Sequence, residues 1–65
     1  MKKVFTYYTL CPICGKQLEW YYGEQTHVTV EQFERFLQTV KLEKRCYFCT
    51  KSTRHTLIKG VIIYL

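Results

Sequence analysis

Apolar and polar positions change period along this chain, and the changes mark its elements. Residues 4–10 (Val-Phe-Thr-Tyr-Tyr-Thr-Leu) are β-branched and aromatic, which predicts a strand. Residues 18–22 (Leu-Glu-Trp-Tyr-Tyr) predict a second strand, ended by Gly23. Residues 25–28 (Gln-Thr-His-Val) predict a short third strand, forming a hairpin around Gly23-Glu24. The spacing then becomes helical, with Val30, Phe33, Phe36, Leu37 and Val40 recurring on one face. Thr29 and Gln32 have the spacing of a capping box. Glu31 and Glu34 suit the positive end of the helix dipole, and Lys41, Lys44 and Arg45 the negative end. Glu31 and Arg35 add an i,i+4 pair. The expected helix covers residues 30–42. A strand-like run follows over residues 53–65, with Gly60 as the place for a bulge or bend.

These elements belong to one domain, residues 1–65, with no linker, repeat or low-complexity segment. A chain this short buries only about 60% of the surface it exposes when unfolded, so its core is marginal and calls for a staple. With 48% apolar and 17% aromatic residues it is nonetheless a folding sequence, not a disordered one.

The candidate staple is the cysteine set. Cys11-Pro12-Ile13-Cys14 and Cys46-Tyr47-Phe48-Cys49 are two C-x₂-C turns separated by 31 residues. Each turn can aim two thiolates at one point, and two such turns complete a four-thiolate tetrahedron, the donor set of a structural Zn²⁺. Thiolates also suit iron, so zinc is the preferred ion and not the sole one. Two disulfides are an alternative for four cysteines. However, the basic N-terminus runs into Tyr, Thr and Cys and not into an apolar signal segment, so a reducing cytoplasmic compartment, where paired cysteines bind metal, is expected. The longest apolar run, residues 61–65, is far short of a membrane span. A redox Cys-Pro-Ile-Cys pair needs a helix opening at the motif, whereas Gly15 and a strand follow here.

A strand, Cys11-Pro12-Ile13-Cys14-Gly15-Lys16, a further strand and then a second C-x₂-C resemble the zinc-ribbon family, with its rubredoxin-like zinc knuckles. The first knuckle matches closely. The second, Cys46-Tyr47-Phe48-Cys49-Thr50-Lys51, lacks the usual glycine after its last cysteine, and the helix between the knuckles lies outside the minimal ribbon. The resemblance covers about twelve residues and implies a fold and a metal but no particular activity. The expected architecture is a small α+β zinc ribbon: an antiparallel sheet of three to four strands, with one amphipathic helix inserted between two knuckles and a single structural zinc on Cys11, Cys14, Cys46 and Cys49.

A non-enzymatic protein is expected. Four thiolates leave a zinc ion no open position for water. Neither His27 nor His55 lies in an H-x-E motif, and no Ser/His/acid set or phosphate-cradling glycine loop is present. With four cysteines available, both histidines are assigned surface or packing roles.

Ten Lys and Arg against five Glu give a net charge of +5, which favours anionic partners. Lys41, Lys44, Arg45, Lys51 and Arg54 flank the second knuckle as a candidate phosphate-binding patch, although cations there also neutralise a negatively charged metal–thiolate centre. Tyr7-Tyr8 and Trp20-Tyr21-Tyr22 put aromatics on both faces of their strands, so part of that set is left for a partner. Two functions follow. The first is a regulator-like module that binds nucleic acid or acts on nucleic-acid machinery. The second is a protein-docking adaptor or inhibitor, of the kind phages and mobile elements encode, using Trp20, Tyr21, Tyr22 and the C-terminal strand. That strand is apolar on both faces and is also a candidate for self-association. No membrane role is expected.

Overall fold

The computed structural model describes residues 2–65. Six elements follow in order: β1 (Lys3–Leu10), β2 (Gln17–Glu24), α1 (Val30–Thr39), β3 (Glu43–Arg45), β4 (Ser52–Arg54) and β5 (Thr56–Tyr64). β1 is the centre of an antiparallel three-stranded sheet, order β2-β1-β5, and β3 and β4 form a separate two-stranded hairpin. The result is a small α+β fold with one helix and the four cysteines gathered at one end.

Alternation along β1 sets the core. Phe5 and Tyr7 face the helix, Phe5 against Phe33 (ring centroids 5.1 Å) and Tyr7 against Phe36 (5.3 Å). Tyr22 completes the cluster, 4.3 Å from Phe36 and 5.4 Å from Phe33. Phe5, Tyr7 and Phe33 are buried; full burial of such a side chain contributes about 1.5–3 kcal/mol. The helix presses closest at Gly60, opposite Tyr7 in the sheet, where a Cβ would run into Leu37 and Phe33. Gly60 is thus a helix-contact position. The β1–β5 irregularity lies beside it, between Tyr8 and Thr9, and leaves Ile58 without a partner on β1.

Thr29 caps α1 as expected. Its hydroxyl accepts from the Gln32 amide and the Gln32 side chain accepts from the Thr29 amide, both at 3.1 Å. Glu31 and Arg35 pair at 2.7 Å on the exposed side, where such a pair contributes a few tenths of a kcal/mol.

Four expectations need correction. Residues 25–28 form a turn and not a third strand, because the Glu24 carbonyl takes the amides of both His27 and Val28. Gly23 does not end β2 but pairs with Phe5 inside it, held bare by Val28 packed against it. The helix stops at Thr39, since Val40 turns extended (φ −61°, ψ 136°) to lead into β3. Lys41, Lys44 and Arg45 therefore lie beyond the helix, whose last turn holds no basic residue. Finally, the C-terminal run is split into β4 and β5 at His55, whose amide turns away to the Leu42 carbonyl. The sheet has three strands, and the remaining two sit in the hairpin.

Among the described residues no helix is long and apolar enough to cross a membrane.

Candidate metal centre

Both knuckles are built the same way. In the first, joining β1 to β2, the Cys11 amide donates to the Lys16 carbonyl (3.0 Å) and the Gly15 amide to the Cys11 carbonyl (2.8 Å). In the second, joining β3 to β4, the Cys46 amide donates to Lys51 (3.1 Å) and the Thr50 amide to Cys46 (2.8 Å). The turn needs a left-handed residue after its second cysteine. Gly15 supplies φ 70° without strain, whereas Thr50 is forced to φ 61°, a region β-branched residues resist. The glycine missing from the second motif thus changes the strain in the turn but not its form.

The four Sγ atoms lie within 4.8 Å of one another, with Cys14–Cys46 at 3.5 Å and Cys11–Cys49 at 3.8 Å. Four thiolates about 2.3 Å from a central ion stand about 3.8 Å apart on the edges of a tetrahedron, so the set fits such an ion. A disulfide would need sulfurs about 2.05 Å apart, and all four cysteines are free. Cys11 and Cys46 are fully buried with Leu18, and Trp20 and Cys49 pack around them; Cys14 lies toward solvent.

The thiols are not equivalent. Burial opposes ionisation of Cys46, but the amides of Cys49 and Phe48, donating to its sulfur at 3.5 and 3.4 Å, outweigh it with help from neighbouring sulfurs and bring its pKa down to about 6. At Cys14 the Lys16 amide favours the thiolate. Burial and the three other sulfurs prevail there, pushing the thiol up to about 11. Cys49 is raised in the same way, its Lys51 amide outweighed by burial and by Cys46 and Cys11. One thiol thus ionises readily while Cys14 and Cys49 are held toward the protonated form, a conflict that a cation among them would remove.

A polar relay ties the sheet to the hairpin behind the cysteines. The Trp20 indole N–H donates to the Thr9 hydroxyl (2.8 Å), which lies 3.0 Å from His55 Nδ1. His55 is buried among packing residues with its Nε2 unpartnered, and no atom of it belongs to the cysteine cluster.

The other residues singled out from sequence are distributed as follows. Lys44 turns inward, its ammonium 4.7 Å from the Trp20 ring and 5.3 Å from Tyr7. Arg45 and Arg54 lie on the outer side of the hairpin with Glu43, which is opposite Arg54. Lys41 and Arg54 line a shallow cleft of about 350 Å³ that also includes Glu43, and Lys51 is exposed at the base of the second knuckle. Trp20 and Tyr22 face the helix side half-buried, while Tyr21 is exposed on the opposite face. Tyr47 and Phe48, which the sequence shows only as the spacer of the second C-x₂-C, are the prominent exposed rings at this end. Their position between Cys46 and Cys49 was the available signal, because a turn that points its thiols inward points the intervening side chains out.

Comparison with protein-family models, with curated proteins and with solved structures gave no match.

Proposed function

We propose that this chain is a non-enzymatic zinc-binding module of zinc-ribbon form that binds nucleic acid or acts on nucleic-acid machinery. The observation that carries the metal reading is the pooling of four thiols, two from each knuckle, at near-tetrahedral spacing. Cys11, Cys14, Cys46 and Cys49 would hold the ion, and zinc is the usual occupant of a four-cysteine site. Its contribution is a cross-link between the hairpin and the sheet. The module is read as non-enzymatic because four thiolates complete a tetrahedral shell.

Support for nucleic acid comes from where the charge sits. Residues 41–54 hold five cations and one acid, so four of the five surplus positive charges fall in this segment. A zinc tetrathiolate carries a formal −2, which leaves this end positive. Phosphate-driven binding weakens linearly on a log–log salt plot. Zinc-loaded protein titrated with labelled oligonucleotide at several salt concentrations is expected to give that slope. A pull-down returning one stoichiometric protein and no nucleic acid overturns the reading.

One observation favours the second reading, a protein-docking adaptor or inhibitor. β5 pairs with β1 on one side only and so offers a nine-residue free edge, beside a sheet face where Tyr21 and Ile58 are exposed. The same edge is the candidate route to self-association. A salt-insensitive complex, abolished by a proline in β5, would favour it.

A further inference from the structure

Resting on the nucleic-acid reading above, we propose that the knuckle end takes single-stranded nucleic acid, with unpaired bases stacking on Tyr47 and Phe48 and phosphates met by the flanking lysines.

Three rings form a row at the cysteine end. Phe48 and Tyr47 stand 4.8 Å apart, and Tyr47 meets the edge of Trp20 at 5.8 Å. Phe48 and Tyr47 are each 56% exposed, so an incoming flat group has ring surface to cover. Their backbone is fixed, because the amides of Phe48 and Cys49 are tied to the Cys46 sulfur. Large rings held more than half open to water on a turn leave most of their apolar surface outside the protein's own core. They suit a partner with flat faces.

Charge selects the partner. Lys16 is exposed 5.4 Å from the Phe48 ring at the open end of the row, while Lys44, turned inward 4.7 Å from Trp20, adds positive charge from behind it. Lys51 is exposed at the base of the same turn. Aromatic platforms flanked by cations are the means by which proteins hold unpaired bases and their backbone together. Duplex fits less well. Its major groove is ordinarily read by an inserted helix or two-stranded ribbon. The exposed side of α1 carries Glu31 and Glu34, with Arg35 already paired to Glu31, and the β3–β4 ribbon has only three residues in each strand, with Glu43 opposite Arg54.

The test uses the zinc-loaded full chain, a fluorescent oligothymidylate, a hairpin duplex of equal charge and a polyglutamate peptide. Single strand is expected to bind at least tenfold tighter than duplex. Phe48→Leu and Tyr47→Leu each lower that affinity about tenfold, while Phe48→Tyr and Tyr47→Phe retain it. Lys16→Gln lowers the log–log salt slope by about 1. All these side chains are exposed, and an unchanged thermal midpoint certifies each variant as folded. Equal binding of single strand and duplex, indifferent to Phe48→Leu and Tyr47→Leu, overturns the stacking proposal and leaves the nucleic-acid reading standing. Polyglutamate binding as tightly as the oligonucleotide also overturns it. Absence of binding to either nucleic acid removes both.

Discussion

The first knuckle closes a hairpin of two eight-residue strands, whereas the second closes one of two three-residue strands. Their backbone–backbone hydrogen bonds match one for one, while the amide bonds to sulfur are seen at Cys46 in the second, and the surroundings differ. β1 and β2 bring Phe5, Tyr7, Thr9 and Leu18 into the buried interior. Over residues 43–54 the only buried side chain is Cys46, a proposed ligand. The second hairpin is held to the sheet by Lys44 over the rings of Trp20 and Tyr7, by Tyr47 against the edge of Trp20, by the Leu42–His55 bond beside the Thr9–His55 contact, and by whatever joins the cysteines. A metal on the proposed site would therefore matter unequally: it would complete one knuckle and anchor the other.

Removing the metal should produce the largest effect. Structural zinc is worth on the order of 10–16 kcal/mol at neutral pH in small domains, much of it folding energy. A strong chelator is expected to abolish the cooperative thermal transition, with amides of residues 43–54 losing exchange protection before those of β1 and β2. Unchanged far-UV circular dichroism would defeat the staple, and simultaneous loss at both knuckles would defeat the asymmetry.

This asymmetry was only half legible in the sequence. The cysteine spacing and the capping pair Thr29–Gln32 are local signals, and each leads directly to what is observed. Two of the readings that failed were decided by distant partners and one by a nearby backbone carbonyl. Residues 53–65 read as one strand because nothing near His55 reveals that its amide is claimed by Leu42. Lys44 reads as part of a surface patch because its ring partners, Tyr7 and Trp20, lie 37 and 24 positions away. Residues 25–28 have strand-like side chains, but the Glu24 carbonyl captures two amides and closes a turn.

Ligand substitutions sharpen the comparison at intermediate scale. One of four ligands corresponds to about 3 kcal/mol of the zinc free energy, or roughly 100-fold in affinity. Cys14→Ala removes a thiol at the solvent side, where water can enter the vacated position. Cys46→Ala removes a buried sulfur and strips the Phe48 and Cys49 amides of their acceptor, adding about 1–3 kcal/mol of cost. Competition titration against a zinc-binding dye should rank Cys46→Ala as the more damaging. Equal losses would mean that burial and amide bonding at Cys46 contribute nothing beyond ligation.

The smallest effect is the most discriminating, because it exchanges only the residue after each second cysteine. A Cβ at Gly15 would meet nothing within 4 Å, so Gly15→Ala tests backbone conformation alone. Holding a non-glycine residue at φ near 70° costs about 1–2 kcal/mol, and the smaller unfolded-state entropy of alanine returns about 0.4–1 kcal/mol. A net loss near 1 kcal/mol is expected. Thr50 already bears that strain at φ 61°, and its hydroxyl makes only an exposed bond to the Cys49 carbonyl. Thr50→Gly should therefore stabilise the zinc-loaded protein by somewhat less than 1 kcal/mol, and Thr50→Asn, which tolerates the left-handed region, by a fraction of that. A lower thermal midpoint for Thr50→Gly would mean that the threonine is not strained in its turn, and the two knuckles would then differ in backbone as well as in support.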